Sequence, residues 1–179
     1  GFDIAIGNPP YYSLSKVKEL SEYFVQAGFE TYTKGADIYC LFYERGCQIL
    51  KQDGTLTFIT SNSWLRAIYG NPLKKFFSSR MVPLALLNIE DIQVFEEATV
   101  ESNILTLQKG KGKSPFMVAN LARNYTIGSS LSQYFRQNSF EYRIPETTEW
   151  VIGNEDVNRI KTKIESNSRF CLLYTSPSP

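Results

Sequence analysis

The 179-residue chain contains no histidine. That absence excludes Ser-His-Asp triads, imidazole acid–base catalysis and His-containing metal clusters within these residues. Cysteine is scarce: there are three, and Cys171 belongs to an atypical terminal stretch. Cys40 and Cys47 share one predicted helix and form no Cys-x-x-Cys pair, so neither a disulfide framework nor a zinc site is expected. Two small buried thiols in a reduced compartment are. No run of 18 apolar residues exists, which excludes a membrane-spanning helix. Charge of one sign is also missing. Lys and Arg number 19 against 18 Asp and Glu, a net charge of +1, so no basic excess announces a nucleic acid and no acidic tail announces disorder. What is abundant is aromatic surface, 14% of residues, with 11 Tyr and 12 Phe. With 42% hydrophobic residues the chain suffices for one globular domain or parts of two.

Helix and strand patterns alternate along the first part of the chain. Phe2-Asp-Ile-Ala-Ile6 is a short β-rich run that predicts a buried strand, stopped by Gly7-Asn8-Pro9-Pro10, because consecutive prolines cannot continue a ladder. Residues 13–27 are mixed helix and loop. From Ala36 to Lys51, Ile38, Leu41, Phe42, Ile49 and Leu50 recur at helical spacing. Asp53-Gly54 is a turn signal, and Thr55 to Thr60 alternates as a strand does. Asn71-Pro72 predicts a helix start, Asn as N-cap and Pro at the first helical position, with the helix running to about Ser79. Val82–Ile89 and Ser102–Gln108 are further strands. The pattern implies an α/β sheet with helices on its faces. At Lys109-Gly-Lys-Gly-Lys113 the composition shifts to a flexible basic stretch, and a domain boundary is expected near residue 112. Beyond it, residues 154–165 read as one helix.

The informative string is Asn8-Pro9-Pro10-Tyr11, directly after a strand. Ligand sites of open α/β sheets lie at strand carboxyl ends. Asn8 precedes a proline, so its backbone is pushed towards an extended conformation. Pro9 has no N–H and offers only a carbonyl acceptor. An Asn side-chain carbonyl and a Pro backbone carbonyl make two neutral acceptors on a stiff loop, and Tyr11 adds a flat ring. That set suits an aromatic substrate bearing an exocyclic amino group. The lone pair of adenine's amino nitrogen is delocalised into the ring, and two hydrogen bonds accepted from that nitrogen would favour a tetrahedral form whose lone pair is free to attack a methyl group. Positioning and electrostatics suffice for this, without histidine or metal.

On these residues the chain resembles the N6-adenine DNA methyltransferases, whose catalytic motif is Asn/Asp/Ser-Pro-Pro-Tyr/Phe. Within that class it resembles the TaqI-like group that includes type IIG restriction–modification methylases. Ala36-Asp37-Ile38-Tyr39, the strand from Gly54 to Thr60 with Trp64-Leu65, Tyr69-Gly70, and Val94-Phe95 with the strand Ile104–Leu107 are similar to later motifs of that family. The resemblance implies the C-terminal half of a Rossmann-like S-adenosyl-L-methionine-dependent methyltransferase sheet over residues 1–112, then the start of a target-recognition region over residues 113–170. Residues 171–179 resemble a translated sequencing adapter and are set aside. On that reading the chain is an internal piece of a longer protein, inactive alone, whose main cofactor motif precedes residue 1.

The same resemblance implies the site. Asn8 and the Pro9 carbonyl accept hydrogen bonds from the target amino group, Pro10 stiffens the loop, and Tyr11 and Phe95 contact the flipped base. Asp37 lines the pocket or caps a helix. Trp64 and Leu65 are packing residues, and Lys109, Lys111 and Lys113 form a solvated linker or meet phosphates. The implied cofactor is S-adenosyl-L-methionine and the implied partner is double-stranded DNA, with a fused endonuclease domain or a specificity subunit, in a prokaryotic cytoplasm. Neither a metal nor a membrane is expected. Protein-glutamine methylation and a non-catalytic DNA-binding remnant are the alternatives.

Overall fold

The computed structural model describes residues 1–89, 101–112, 114–121, 125–126, 128–144, 150, 152, 160 and 163. Its framework is a six-stranded sheet in the order β1-β2-β4-β3-β5-β6. The strands are β1 (Phe2–Gly7), β2 (Leu50–Ser61), β3 (Met81–Ile89), β4 (Ser102–Lys109), β5 (Phe116–Asn120) and β6 (Phe140–Tyr142). β1 is parallel to β2 and β3 is parallel to β5, while β4 runs antiparallel between β2 and β3. The helices are α1 (Ser21–Gln26), α2 (Tyr39–Ile49), α3 (Asn71–Arg80) and α4 (Leu131–Asn138).

α2 and α3 cover one face of the sheet. α2 buries Tyr39, Cys40, Tyr43 and Cys47, whereas Phe42, expected on the apolar face, is exposed. Gly46 explains the rotation: a Cβ there would lie 2.8 Å from a methyl of Leu56, so the helix rests directly on β2 along its glycine side. An aromatic stack fills the space beneath. The Tyr43 ring lies 5.2 Å from Phe58 and 5.1 Å from Phe77, and Trp64 lies 5.6 Å from Phe77 and 5.3 Å from Trp150. Such pairs each add roughly 0.5–1.5 kcal/mol beyond the area they bury.

Several boundaries differ from the sequence reading. Asp53-Gly54 is not a turn between elements. β2 runs through it as an irregularity, with Asp53 at φ 63°, and the register slips from Phe2↔Leu50 to Ile4↔Thr55. Asn71 is the first helical residue rather than the cap, because Gly70 takes the cap position. β1, expected as a buried strand, is the outermost strand among the described residues, with Phe2, Ile4 and Ile6 exposed at 62%, 64% and 79%. The sheet also continues across residue 112, where the composition changes. Phe116, Val118, Tyr142 and Trp150 join the same core as Leu56 and Phe77. The helix expected at residues 154–165 falls almost wholly outside the described residues.

Candidate functional site at the carboxyl ends of the strands

β1, β2 and β3 all end at one edge of the sheet, and β4 begins there. The Asn8–Tyr11 loop leaves β1 at this edge. Pro9 is buried and anchors the turn, which leaves Asn8 and Pro10 exposed on either side of it. Among the described residues the Asn8 side-chain amide makes no hydrogen bond. No described residue competes for it, and the proline beside it cannot swing away.

The rest of the loop is tied to the segment entering α2. Ile38 donates its N–H to the Tyr12 carbonyl at 2.8 Å and Leu14 to the Ala36 carbonyl at 2.9 Å, with Ser13 and Asp37 opposed in an antiparallel bridge. Tyr11 is half-buried. Its ring meets Tyr39 edge-to-face at 6.3 Å. Burial raises the Tyr11 phenol above its ordinary value, and the nearby Ser102 side chain opposes that shift.

Asp37 has one definite partner. Its carboxylate accepts from the Tyr69 hydroxyl at 3.3 Å, and it makes no side-chain cap bond to α2, whose N-cap is Ile38. Tyr69 in turn meets the Ser63 hydroxyl at 2.6 Å and the Tyr39 hydroxyl at 3.1 Å, and Ser63 meets Ser61 at 2.8 Å. This hydroxyl cluster joins the Asn8 loop to the 62–70 loop. Burial pushes the Tyr39 phenol far above its ordinary value and Tyr69 in the same direction, so both are neutral donors at pH 7. Burial, with the Asp37 charge nearby, pushes the Cys40 thiol up to about 12, which removes it as a nucleophile.

Below the loops lies a polar layer. Asn62 donates to Asn88 at 3.1 Å, and Asn88 to Asn120 at 3.1 Å. Thr60 joins Tyr43 at 3.2 Å and donates to Asn103 at 3.4 Å. The sequence reading missed this layer and Ser102, although Asn or Ser at the same end of four strands was a visible signal. Glu44 was missed as well: its buried carboxylate accepts from the N–H groups of Glu30 and Thr31 at 3.1 and 2.9 Å, and from the Thr31 hydroxyl at 2.9 Å.

Other expected residues lie elsewhere. Trp64 and Leu65 are buried in the core. Lys109 is at the opposite end of the sheet, its ammonium donating to the Leu50 carbonyl at 2.7 Å. Lys111 is exposed, and Lys113 and Phe95 lie outside the described residues. Among the described residues no three His, Cys, Asp or Glu side chains could hold a metal, and no helix is long and apolar enough to cross a membrane.

Residues 1–95 match the model of the Eco57I restriction-modification methylases. The chain belongs to that family. It is 32% identical over 131 residues to the type II methyltransferase M.XhoI of Xanthomonas vasicola, an alignment covering 73% of this chain and 24% of the relative. It is 34% identical over 113 residues to the type II restriction enzyme and methyltransferase RM.Eco57I of Escherichia coli, covering 60% of this chain and 11% of the relative. The chain thus spans a quarter or less of these relatives. Its fold is similar to a putative class I S-adenosylmethionine-dependent methyltransferase of Listeria monocytogenes, with a TM-score of 0.54 and 20% identity over 75% of this chain and 41% of that one. The fold is the mixed α/β sheet of those methyltransferases, represented here in part.

Proposed function

We propose that these residues form the methyl-acceptor side of a site that transfers a methyl group from S-adenosyl-L-methionine to the N6 amino group of adenine in a specific DNA sequence, within a restriction–modification or phage-defence system. The observation that carries this reading is Asn8: an exposed amide with no hydrogen bond among the described residues, held by buried Pro9 at the end of a strand. Family membership supports the chemistry.

In this mechanism the Asn8 side-chain carbonyl and the Pro9 backbone carbonyl accept the two amino hydrogens. Pro10 keeps the turn stiff. The nitrogen is drawn out of conjugation, and its lone pair turns towards the donor. Tyr11, packed against Tyr39, offers its ring to the extracted base, and Phe95 supplies the second contact. Extraction costs a few kcal/mol. Stacking returns about 1–3 kcal/mol per base, so two rings offset most of it. Asp37 acts on the pocket through Tyr69, orienting the hydroxyls that face the loop.

S-adenosyl-L-methionine, when bound, supplies the electrophilic methyl group. Apart from the Asn8 loop itself, the described residues include no glycine turn after a strand of the type by which the family holds it. The described residues supply the acceptor side. β5 and β6 complete the catalytic sheet, so target recognition is assigned to the residues that follow them. Double-stranded DNA, in a prokaryotic cytoplasm, is the partner, with a nuclease or specificity subunit completing the system.

The test is to express the protein as its gene encodes it in a host lacking adenine methylases and to map N6-methyladenine by single-molecule sequencing. The wild type should modify one sequence motif. Asn8→Ala should abolish modification while S-adenosyl-L-methionine binding, measured by calorimetry, persists. Labelling of protein rather than DNA by tritiated donor, or undiminished DNA methylation by Asn8→Ala, would overturn the assignment.

A further inference from the structure

Tyr12 directly follows Tyr11 and, unlike it, is exposed, at 42%. Its backbone is fixed: its carbonyl accepts from Ile38, the next residue opposes Asp37, and Leu14 beyond that is buried. The Lys16 ammonium lies 5.6 Å from the centre of the Tyr12 ring, within cation–π range. Tyr12 is four residues after Asn8, so the two backbones lie within about 14 Å of each other whatever path the loop takes. Next to this ring is an open cleft of about 730 Å³, with Leu14, Lys18, Glu22, Val25, Tyr32 and Lys34 in its walls. Lys16, Lys18 and Lys34 make no ion pair among the described residues, and Glu22 leaves two ammonium groups against one carboxylate in the cleft. The Tyr32 hydroxyl is buried with no hydrogen-bond partner among the described residues, a donor left short of an acceptor. A flat ring with an ammonium beside it, followed by two more along an open cleft, is the pattern that holds a single nucleic-acid strand, rings taking bases and cations taking phosphates.

We propose that Tyr12 and Lys16 seat the nucleotide next to the extracted adenine on the same DNA strand, its base on the Tyr12 ring and its phosphate at Lys16, and that Lys18 and Lys34 hold the following phosphate in the cleft. The inference rests on the DNA reading above and adds to it the path of the strand that carries the target. An extracted adenine stays bonded to its neighbours, so the surface that continues from Tyr11 is where they arrive. Extraction also uncovers one face of the adjoining base, and the Tyr12 ring covers it again. A phosphate oxygen in the cleft supplies the acceptor that the Tyr32 hydroxyl lacks.

The experiment uses the intact protein and duplexes carrying the motif mapped for the wild type. A neutral methylphosphonate replaces each of the four phosphates nearest the target adenine in turn, and equilibrium binding is measured across a salt series. Lys16→Gln should lower the slope of log affinity against log salt by about one. At one of the four positions the methylphosphonate should do the same to the wild type and nothing further to Lys16→Gln, the coupling expected of a direct contact. Lys18→Gln combined with Lys34→Gln should couple in the same way to the phosphate beyond it. Tyr12→Ala should weaken binding about tenfold, the loss of one stack, whereas Tyr12→Phe should bind as the wild type does. When the adjoining nucleotide is abasic, Tyr12→Ala should cost less than about twofold, since no base is left to stack. Independent effects of Lys16→Gln and the methylphosphonate at all four positions, or an equal Tyr12→Ala loss with and without the adjoining base, overturns the seat. If the wild type binds and methylates no DNA, the underlying functional reading fails instead, and the two failures are distinct.

Discussion

Glu44→Ala should loosen the functional site from a distance. Glu44 accepts from both backbone N–H groups of residues 30 and 31 and from the Thr31 hydroxyl, and so ties the segment before Asp37 to α2. Removing the carboxylate has unequal effects on these donors. The Thr31 hydroxyl keeps the Cys40 carbonyl at 3.1 Å. The Thr31 N–H is buried and loses its acceptor, at about 1–3 kcal/mol, and the Glu30 N–H is partly rehydrated. Adding the lost packing of the Cγ methylene, at about 0.8 kcal/mol, gives roughly 3 kcal/mol in all. Hydrogen exchange followed by mass spectrometry reads this directly. Protection of peptides spanning residues 29–36 should fall by about two orders of magnitude, with α3 little changed. Glu44→Gln keeps one carbonyl acceptor and should lose about half as much free energy. Unchanged protection in Glu44→Ala would refute the claim that this carboxylate holds the loop.

Three further outcomes follow from the same geometry. Gly70→Ala should disrupt the 62–70 loop and cost more than about 3 kcal/mol, since its Cβ meets main chain and not a movable side chain; a thermal midpoint equal to wild type would contradict this. Tyr11→Ala should abolish methylation, whereas Tyr11→Phe keeps the ring and its edge-to-face contact with Tyr39 and should be mild; a severe Tyr11→Phe defect would mean that the hydroxyl takes part directly. Burial raises the Tyr39, Tyr43 and Tyr69 phenols in the folded protein, so their contribution to stability is present below about pH 10 and is lost as pH rises above it. Absorbance at 295 nm should therefore show some of the 11 tyrosines ionising only on unfolding, and full ionisation near pH 10 with the fold intact would refute their burial.

The sequence alone determined the chemistry that the chain presents. Absent histidine and unpaired cysteine removed whole mechanisms, and a four-residue string after a strand marked the loop, because stiff prolines and a neutral amide act locally. Strand positions were legible for the same reason, since alternation is set by nearest neighbours. The tertiary structure decided everything that depends on distant residues. It set β1 at an edge, turned α2 onto its tyrosines and Gly46, and carried the sheet past residue 112. It gave Asp37 a phenol in place of a helix cap. Glu44 carries no local signature. Its carboxylate gains meaning only from the N–H groups of residues 30 and 31 that the fold brings to it.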